Sequence, residues 1–377
     1  MGVRKLRMKQ TSRIISTYAS DVSGVCSALF EYGGMTIMHD ASGCNSTYNT
    51  HDEPRWYDMD SMVFVSALTE TDAILGDDEK LLSDIEDAAR ELHPAFIAIA
   101  GSPIPMLIGC DLEAVARLAQ ARTGIPAMGF PTNGMHSYLS GAGMAFAALA
   151  QRFADKSVRR TQVPSVNILG ATPLDFSANG SIDDLRAWLE QNGFAVVGRW
   201  GMGGTLEDVR RAGAAHVNLV VSAAGLRVAQ FLQVQFGTPY VLGAPTGGPA
   251  GDAVLRALHG APAQEVAADA HAPIAVIAEA VRARAILTDL GKPARVFCPP
   301  DTPEEALPKG AQLLTDEASL IAALKGVEVL AADPLYEPIA PAGARFVRMP
   351  HEAFSGRIYR NEIMNPLKID IKTEAFA

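Results

Sequence analysis

The chain is 377 residues long, enough for two or three globular domains rather than one. It is 48% hydrophobic and 20% charged with a net charge of −10, a balance that excludes a general nucleic-acid surface. Four cysteines in so long a chain are not a disulfide framework and point to a reducing compartment, and the basic start Met1–Lys9 leads into no apolar signal segment, so the expected location is the cytoplasm.

In chain order, a helix-like run from Cys26, a Gly33-Gly34 break and a strand at Met35–Met38 lead to a Gly43-Cys44 turn. That strand is expected to carry Cys44 to the carboxyl edge of a sheet, and the helix to bring Cys26 to the same end. Two thiolates there can hold a soft metal centre, with an iron–sulfur cluster the foremost candidate; the alternative is two buried reduced cysteines. Strands are expected next at Met62–Val65, Ala95–Ala100 and Ala127–Phe130, and helices at Glu79–Leu92, Leu112–Arg122 and about Met135–Phe153. The longest apolar stretch, 95–109, is broken by Pro103 and Pro105 and is too short to cross a membrane.

After a basic stretch, Asp155–Pro164, the pattern restarts. Strands are expected at Val166–Leu169, Ala195–Val197, Val217–Val221 and Tyr240–Leu242, with helices at Ser181–Asn192, Leu206–Ala212 and Leu226–Phe236. Gly193 and Gly237 read as helix stops, because glycine accepts the left-handed conformation at C′ without strain. A third block has strands at Ile274–Ile277, Arg295–Phe297, Gln312–Leu314 and Val327–Ala331, and helices at Val281–Leu290 and Glu317–Leu324. Continuous apolar strands alternating with amphipathic helices indicate parallel sheets covered on both faces. The expected fold is therefore α/β, with three Rossmann-like doubly wound domains at about 1–160, 161–268 and 269–377.

The residues after Cys44 carry a more specific signal. Asn45–Trp56 contains His51-Asp-Glu-Pro-Arg55; then come Thr69-Glu-Thr-Asp-Ala-Ile-Leu-Gly76 and Gly101-Ser-Pro-Ile-Pro-Met-Leu-Ile-Gly-Cys-Asp111. This order resembles component 1 of nitrogenase and its relatives, among them dark-operative protochlorophyllide reductase and nickel-sirohydrochlorin reductive cyclase. The resemblance is specific over Cys26–Thr132 and extends more weakly through His216–Ser222 and Phe231–Tyr240.

The resemblance implies three Rossmann-like units and a cluster held between two subunits by cysteines from each. Cys26 and Cys44 match the first two ligand positions; where the third is expected this chain has Ser102-Pro103, and Cys110 follows eight residues on. Two cysteines per protomer across a twofold axis would supply four thiolates for one [4Fe–4S] cluster. Cys110 is either a further ligand or a core cysteine. Where nitrogenase anchors its active-site cluster with Asn-Leu-Val-x-Cys, this chain has Asn218-Leu-Val-Val-Ser222, which argues for an exchangeable substrate in place of a resident cofactor.

Other candidates are weaker. His51 and His136 are candidate proton donors, and His39, Asp52, Glu53 and Arg55 are candidate tuners of cluster potential or members of a solvated loop; Trp56 reads as a packing residue. The glycine-rich loops 201–205 and 246–252 could hold an anion, but no Walker A motif occurs, so ATP would be hydrolysed by another polypeptide. Cys298 reads as structural, and Arg345–His351 with Phe354–Arg357 as possible lining of a dimer or substrate cleft.

The expectation is the catalytic component of a two-component oxidoreductase. It would work as a homodimer, or with a paralogous component 1 subunit, and would take electrons from a nitrogenase reductase-like ATPase through the bridging cluster. The substrate would be an unsaturated small molecule, a tetrapyrrole by analogy. The alternatives are a scaffold for metallocofactor assembly and a metal-free small-molecule binding protein.

Overall fold

The computed structural model describes residues 12–41, 43, 45, 48, 52–262 and 265–369. Its elements fall into three successive α/β units. The first runs α1 (Asp21–Leu29), β1 (Met35–His39), β2 (Val63–Val65), α2 (Glu70–Leu75), α3 (Glu79–Leu92), β3 (Ile97–Gly101), α4 (Pro103–Leu107), α5 (Leu112–Thr123), β4 (Ala127–Phe130) and α6 (Tyr138–Phe153). The second runs β5 (Ser165–Ala171), α7 (Pro173–Phe176), α8 (Ser181–Gln191), β6 (Ala195–Gly201), α9 (Leu206–Arg210), β7 (Val217–Val220), α10 (Leu226–Phe236), β8 (Tyr240–Leu242) and α11 (Pro249–Leu258). The third runs β9 (Ile274–Ile277), α12 (Ala280–Leu290), β10 (Arg295–Cys298), β11 (Gln312–Leu313), α13 (Glu317–Ala323), β12 (Val329–Ala332), β13 (Arg345–Arg348) and α14 (Glu352–Ser355).

Every strand pair is parallel. The orders are β2-β1-β3-β4, β6-β5-β7-β8 and β11-β10-β9-β12-β13. Each sheet therefore has one switch point, between β1 and β3, β5 and β7, and β9 and β12, where successive connections leave in opposite directions. Ligands of open α/β sheets bind outside the carboxyl ends of the strands at such points.

The first sheet shows why both faces are buried. Met38, Ala98 and Ala100 turn towards α1 and α6, whereas Met35, Ile37, Ile97 and Ile99 pack with Leu82 and Ile85 of α3 and Val115 of α5. One apolar core runs from Val22 and Val25 of α1 through Val220 and Leu232 to Val276, Leu330 and Phe354, so it joins all three units. The α1–α6 contact is very close: a Cβ on Gly141 would lie 1.8 Å from the Asp21 carbonyl oxygen, and one on Gly24 2.2 Å from the Tyr138 carbonyl. Among the described residues no helix is long and apolar enough to cross a membrane.

Candidate functional site

The second and third switch points meet and shape a cleft of about 830 Å³ when the space open to solvent is counted, of which the enclosed part is far smaller. From the second sheet, β5 ends in a turn to Asp175 and β7 leads to Ser222. Both groups are buried, and Ser222 Oγ donates to Asp175 Oδ2 at 2.6 Å. Tyr138 of α6 donates its hydroxyl to Asp175 Oδ1 at 2.5 Å. From the third sheet, Glu279 follows β9 and accepts the Ala223 amide at 2.9 Å and the Arg282 amide at 3.0 Å. Glu279 thereby caps α12 and ties the two switch points together.

Burial, and then the nearby Asp175 charge, push the Glu279 carboxyl up to about 7. His351 follows β13 and stacks on Phe354 with ring centres 4.4 Å apart. Its Nε2 is 3.4 Å from Asp175 Oδ1, within ion-pair range, but neither ring nitrogen has a hydrogen-bond partner among the described residues. The cleft wall is otherwise largely apolar, with Phe176, Ile286, Met349 and Met364; it also carries Arg282 and Arg348, the latter paired with Glu362 of the same wall at 3.3 Å. Burial disfavours the charged form of Arg282, against the pull of Glu279 and Asp175. The site can thus enclose an apolar body, hold its anionic groups and pass protons near neutral pH.

The first switch point lies at His39 and Ser102. Ser102, where the resemblance leads one to expect a third cysteine, donates to buried Asp40 Oδ1 at 2.5 Å, and Asn45 Nδ2 donates to Asp40 Oδ2 at 3.0 Å. Cys26 is fully buried in α1, and burial together with the Glu53 charge pushes its thiol well above the ordinary range. Beside it, Arg55 donates to Glu53 and to Glu31, both at 2.7 Å, and to the Ser27 carbonyl at 2.7 Å, while Tyr48 donates to Glu53 at 3.1 Å.

Glu53 and Arg55 are therefore a buried ion network rather than a solvated loop. Trp56 packs edge-on against Phe30 at 5.5 Å, as the sequence suggests. Cys44 and His51 lie outside the described residues.

The remaining candidates go elsewhere. Cys110 is half-buried against the α3–α5 face of the first sheet, whereas Cys26 packs on the α1–α6 face. His136 is exposed and meets Asp301 of the third unit at 3.3 Å, outside the cleft wall. Cys298 is buried at the end of β10, where burial pushes its thiol well up. Both glycine-rich loops spend amides on the chain's own carboxylates: Gly203 donates to Glu31 at 2.7 Å, and Ala250 to Asp289 at 2.7 Å. Tyr138, Asp175 and Glu279 escape sequence reasoning because they lie far apart along the chain; His351 belongs to the stretch 345–351 that the sequence marks as a cleft lining.

Three parallel-sheet units, with a cleft where the second and third switch points meet, define a class of multi-unit α/β proteins. A family model described as nitrogenase component 1 type oxidoreductase matches residues 23–302, and the chain belongs to that family. A segment is 28% identical over 180 residues to the nitrogenase iron-molybdenum cofactor biosynthesis protein NifE of Clostridium pasteurianum, covering 47% of this chain and 38% of that protein. Another is 32% identical over 171 residues to a subunit of the light-independent protochlorophyllide reductase of Chloroflexus aggregans, covering 45% of this chain and 31% of the relative. The chain thus matches only about a third of these relatives' length. A solved structure of nitrogenase Cp1 at pH 6.5 superposes with a TM-score of 0.66 over 94% of this chain and 90% of that one, at 16% identity, a likeness of fold.

Proposed function

We propose that the chain is the substrate-reducing component of a nitrogenase-like two-component oxidoreductase. It takes single electrons from an ATP-dependent iron–sulfur reductase and reduces an unsaturated, partly anionic small molecule in the central cleft. What carries the reading is the cleft: an apolar-lined space at two switch points, with Glu279 poised near neutrality and His351 making no side-chain hydrogen bond among the described residues while facing Asp175.

Ser222 stands where the family resemblance leads one to look for a cluster-anchoring thiol, and its hydroxyl is committed to Asp175. That favours an exchangeable occupant. Asp175 holds Tyr138 and Ser222 in place and faces His351 at 3.4 Å. Glu279 holds or releases a proton as pH crosses about 7. Arg282 orients a carboxylate group of the substrate, and Arg348 does so in competition with its Glu362 partner.

Cys26 and Cys44 would hold a [4Fe–4S] cluster together with the same pair from a second protomer. The donor chemistry fits: the Cys26 thiolate is costly without a cation to balance it, and Ser102 already serves Asp40, leaving two cysteines per chain for the cluster. When bound, such a cluster supplies one-electron equivalents at low potential.

The test is anaerobic isolation, iron analysis and turnover with a reductase of this class. Iron bound by wild type and lost in Cys44→Ser, with substrate reduction that falls at least tenfold in His351→Ala, supports the reading. The match to NifE favours a second one, a cofactor-assembly scaffold, which predicts a bound metallocluster precursor and no turnover. Protein that takes up no iron defeats both and leaves a metal-free binding protein.

A further inference from the structure

Outside the cleft, one cluster of side chains has ligand chemistry that the proposed reaction does not use. His39 closes β1, Asp78 precedes α3, and Cys110 lies in the turn between α4 and α5. One ligand atom from each lies within 4.8 Å of the other two. We propose that His39, Asp78 and Cys110 form a binding site for a divalent transition-metal ion of the Zn²⁺ type, separate from the cluster assigned to Cys26 and Cys44.

The donor set fits this class of ion. One thiolate, one imidazole and one carboxylate suit Zn²⁺, and three protein ligands leave the fourth tetrahedral position to water. Cys110 Sγ stands 3.8 Å from Asp78 Oδ1; neighbouring ligands in a tetrahedral zinc site sit roughly 3.2–3.8 Å apart, given metal–ligand bonds of roughly 2.0–2.3 Å. Only small side-chain movements separate this arrangement from a closed site.

Each ligand is also prepared by its surroundings. His39 is buried, and its Nδ1 bonds Ser66 Oγ at 2.8 Å, which fixes the ring and leaves Nε2 as the nitrogen to offer a metal. An outer-shell partner on the other ring nitrogen is the usual support of a metal-bound histidine. Asp78 occupies the N-cap position of α3 yet makes no side-chain capping bond, and its Oδ1 accepts from the Cys110 thiol, the group that would share the ion with it.

The placement gives the ion a purpose. It would pin the end of β1, the start of α3 and the α4–α5 turn at the carboxyl edge of the first sheet. Ser66 continues the connection, because its hydroxyl receives the Asp40 amide at 3.1 Å, and Asp40 accepts from Ser102. The metal would brace the base of the loop that carries Cys44. Binding displaces the Cys110 proton to solvent, and no redox step is involved.

The experiment titrates Co²⁺ into full-length Cys26→Ala/Cys44→Ser protein under reducing, anaerobic conditions, so that Cys110 and Cys298 are the remaining thiols. A thiolate-to-cobalt charge-transfer band reaching one equivalent is expected. It should vanish in the added Cys110→Ser background, persist with Cys298→Ser, and need at least tenfold more Co²⁺ in His39→Ala or Asp78→Asn. Circular dichroism checks that each variant is folded. In the same Cys26→Ala/Cys44→Ser protein, Zn²⁺ should raise the melting temperature, and adding Cys110→Ser should abolish the rise. No band, a band that survives Cys110→Ser, or a melting rise equal in both proteins overturns the site. Because the cluster cysteines are absent from the titrated protein, failure here leaves the redox reading untouched, and the converse holds.

Discussion

At the scale of single residues, the buried carboxylates set the pH behaviour of the fold. Glu279 has a carboxyl raised from the ordinary 4.5 to about 7. A raised acid binds its proton more tightly in the folded chain, so its contribution is fully present below about 4.5 and is lost as pH rises through about 7. The effect is on the order of 3 kcal/mol at most, at roughly 1.4 kcal/mol for each tenfold gain in proton affinity. Glu279→Gln keeps an acceptor for the Ala223 amide and removes the titration. The expected outcome is a flatter melting temperature between pH 5 and 8; a wild-type slope retained by the variant rejects the assignment. Arg55 offers the opposite case. It neutralises Glu53 and Glu31 in a nearly water-free setting, so Arg55→Met strands two carboxylates and should cost about 3–5 kcal/mol in denaturant unfolding.

At the scale of elements, the α1–α6 contact controls the helix that presents Cys26. Gly141→Ala drives a methyl into the Asp21 carbonyl, which α1 can relieve only by moving away. The expected loss is about 3 kcal/mol, at the upper end of ordinary overpacking. Gly143→Ala, on the same helix, meets its nearest neighbour only at 3.6 Å. It should be neutral or up to about 1 kcal/mol stabilising, since alanine is the better helix former. Equal melting temperatures for the two variants would contradict the close-contact account.

These elements differ in how plainly the sequence announces them. The periodicity places α3 at Glu79–Leu92, α10 at Leu226–Phe236, β4 at Ala127–Phe130 and β9 at Ile274–Ile277, with the observed limits. Gly237 adopts the left-handed conformation expected of a helix stop. The periodicity passes over α11, because Thr246-Gly-Gly-Pro249 reads as loop although Pro249 is its first-turn residue. It also misses the short helices α2, α4, α7 and α14, which are too brief to hold without tertiary packing. The site divides the same way. Cysteine is rare enough here for Cys26 and Cys44 to stand out. Asp175 and Glu279 resemble ordinary helix-start acids until the fold brings two sheets edge to edge.

At the scale of the molecule, the first sheet's carboxyl edge presents apolar surface that an isolated subunit would expose. Leu107 of α4 is 76% exposed and Met135, after β4, 74%, with Met106 and Ile108 beside Leu107 also exposed. Gly134 lies against Pro103, so the two segments form one patch. This is the edge from which the Cys44 loop leaves, and the proposed shared cluster needs a second copy of the chain to cover it and to reach Cys26, which is fully buried in the single chain. Four thiolates satisfy one [4Fe–4S] cluster, so about four iron atoms per two chains are expected. Leu107→Asp plants a charge in the patch and should yield monomers by sedimentation, and, because each chain alone brings two cysteines, it should lose iron in parallel. Iron retained by a monomeric variant would place the cluster within one chain, and an unchanged dimer would move the interface elsewhere.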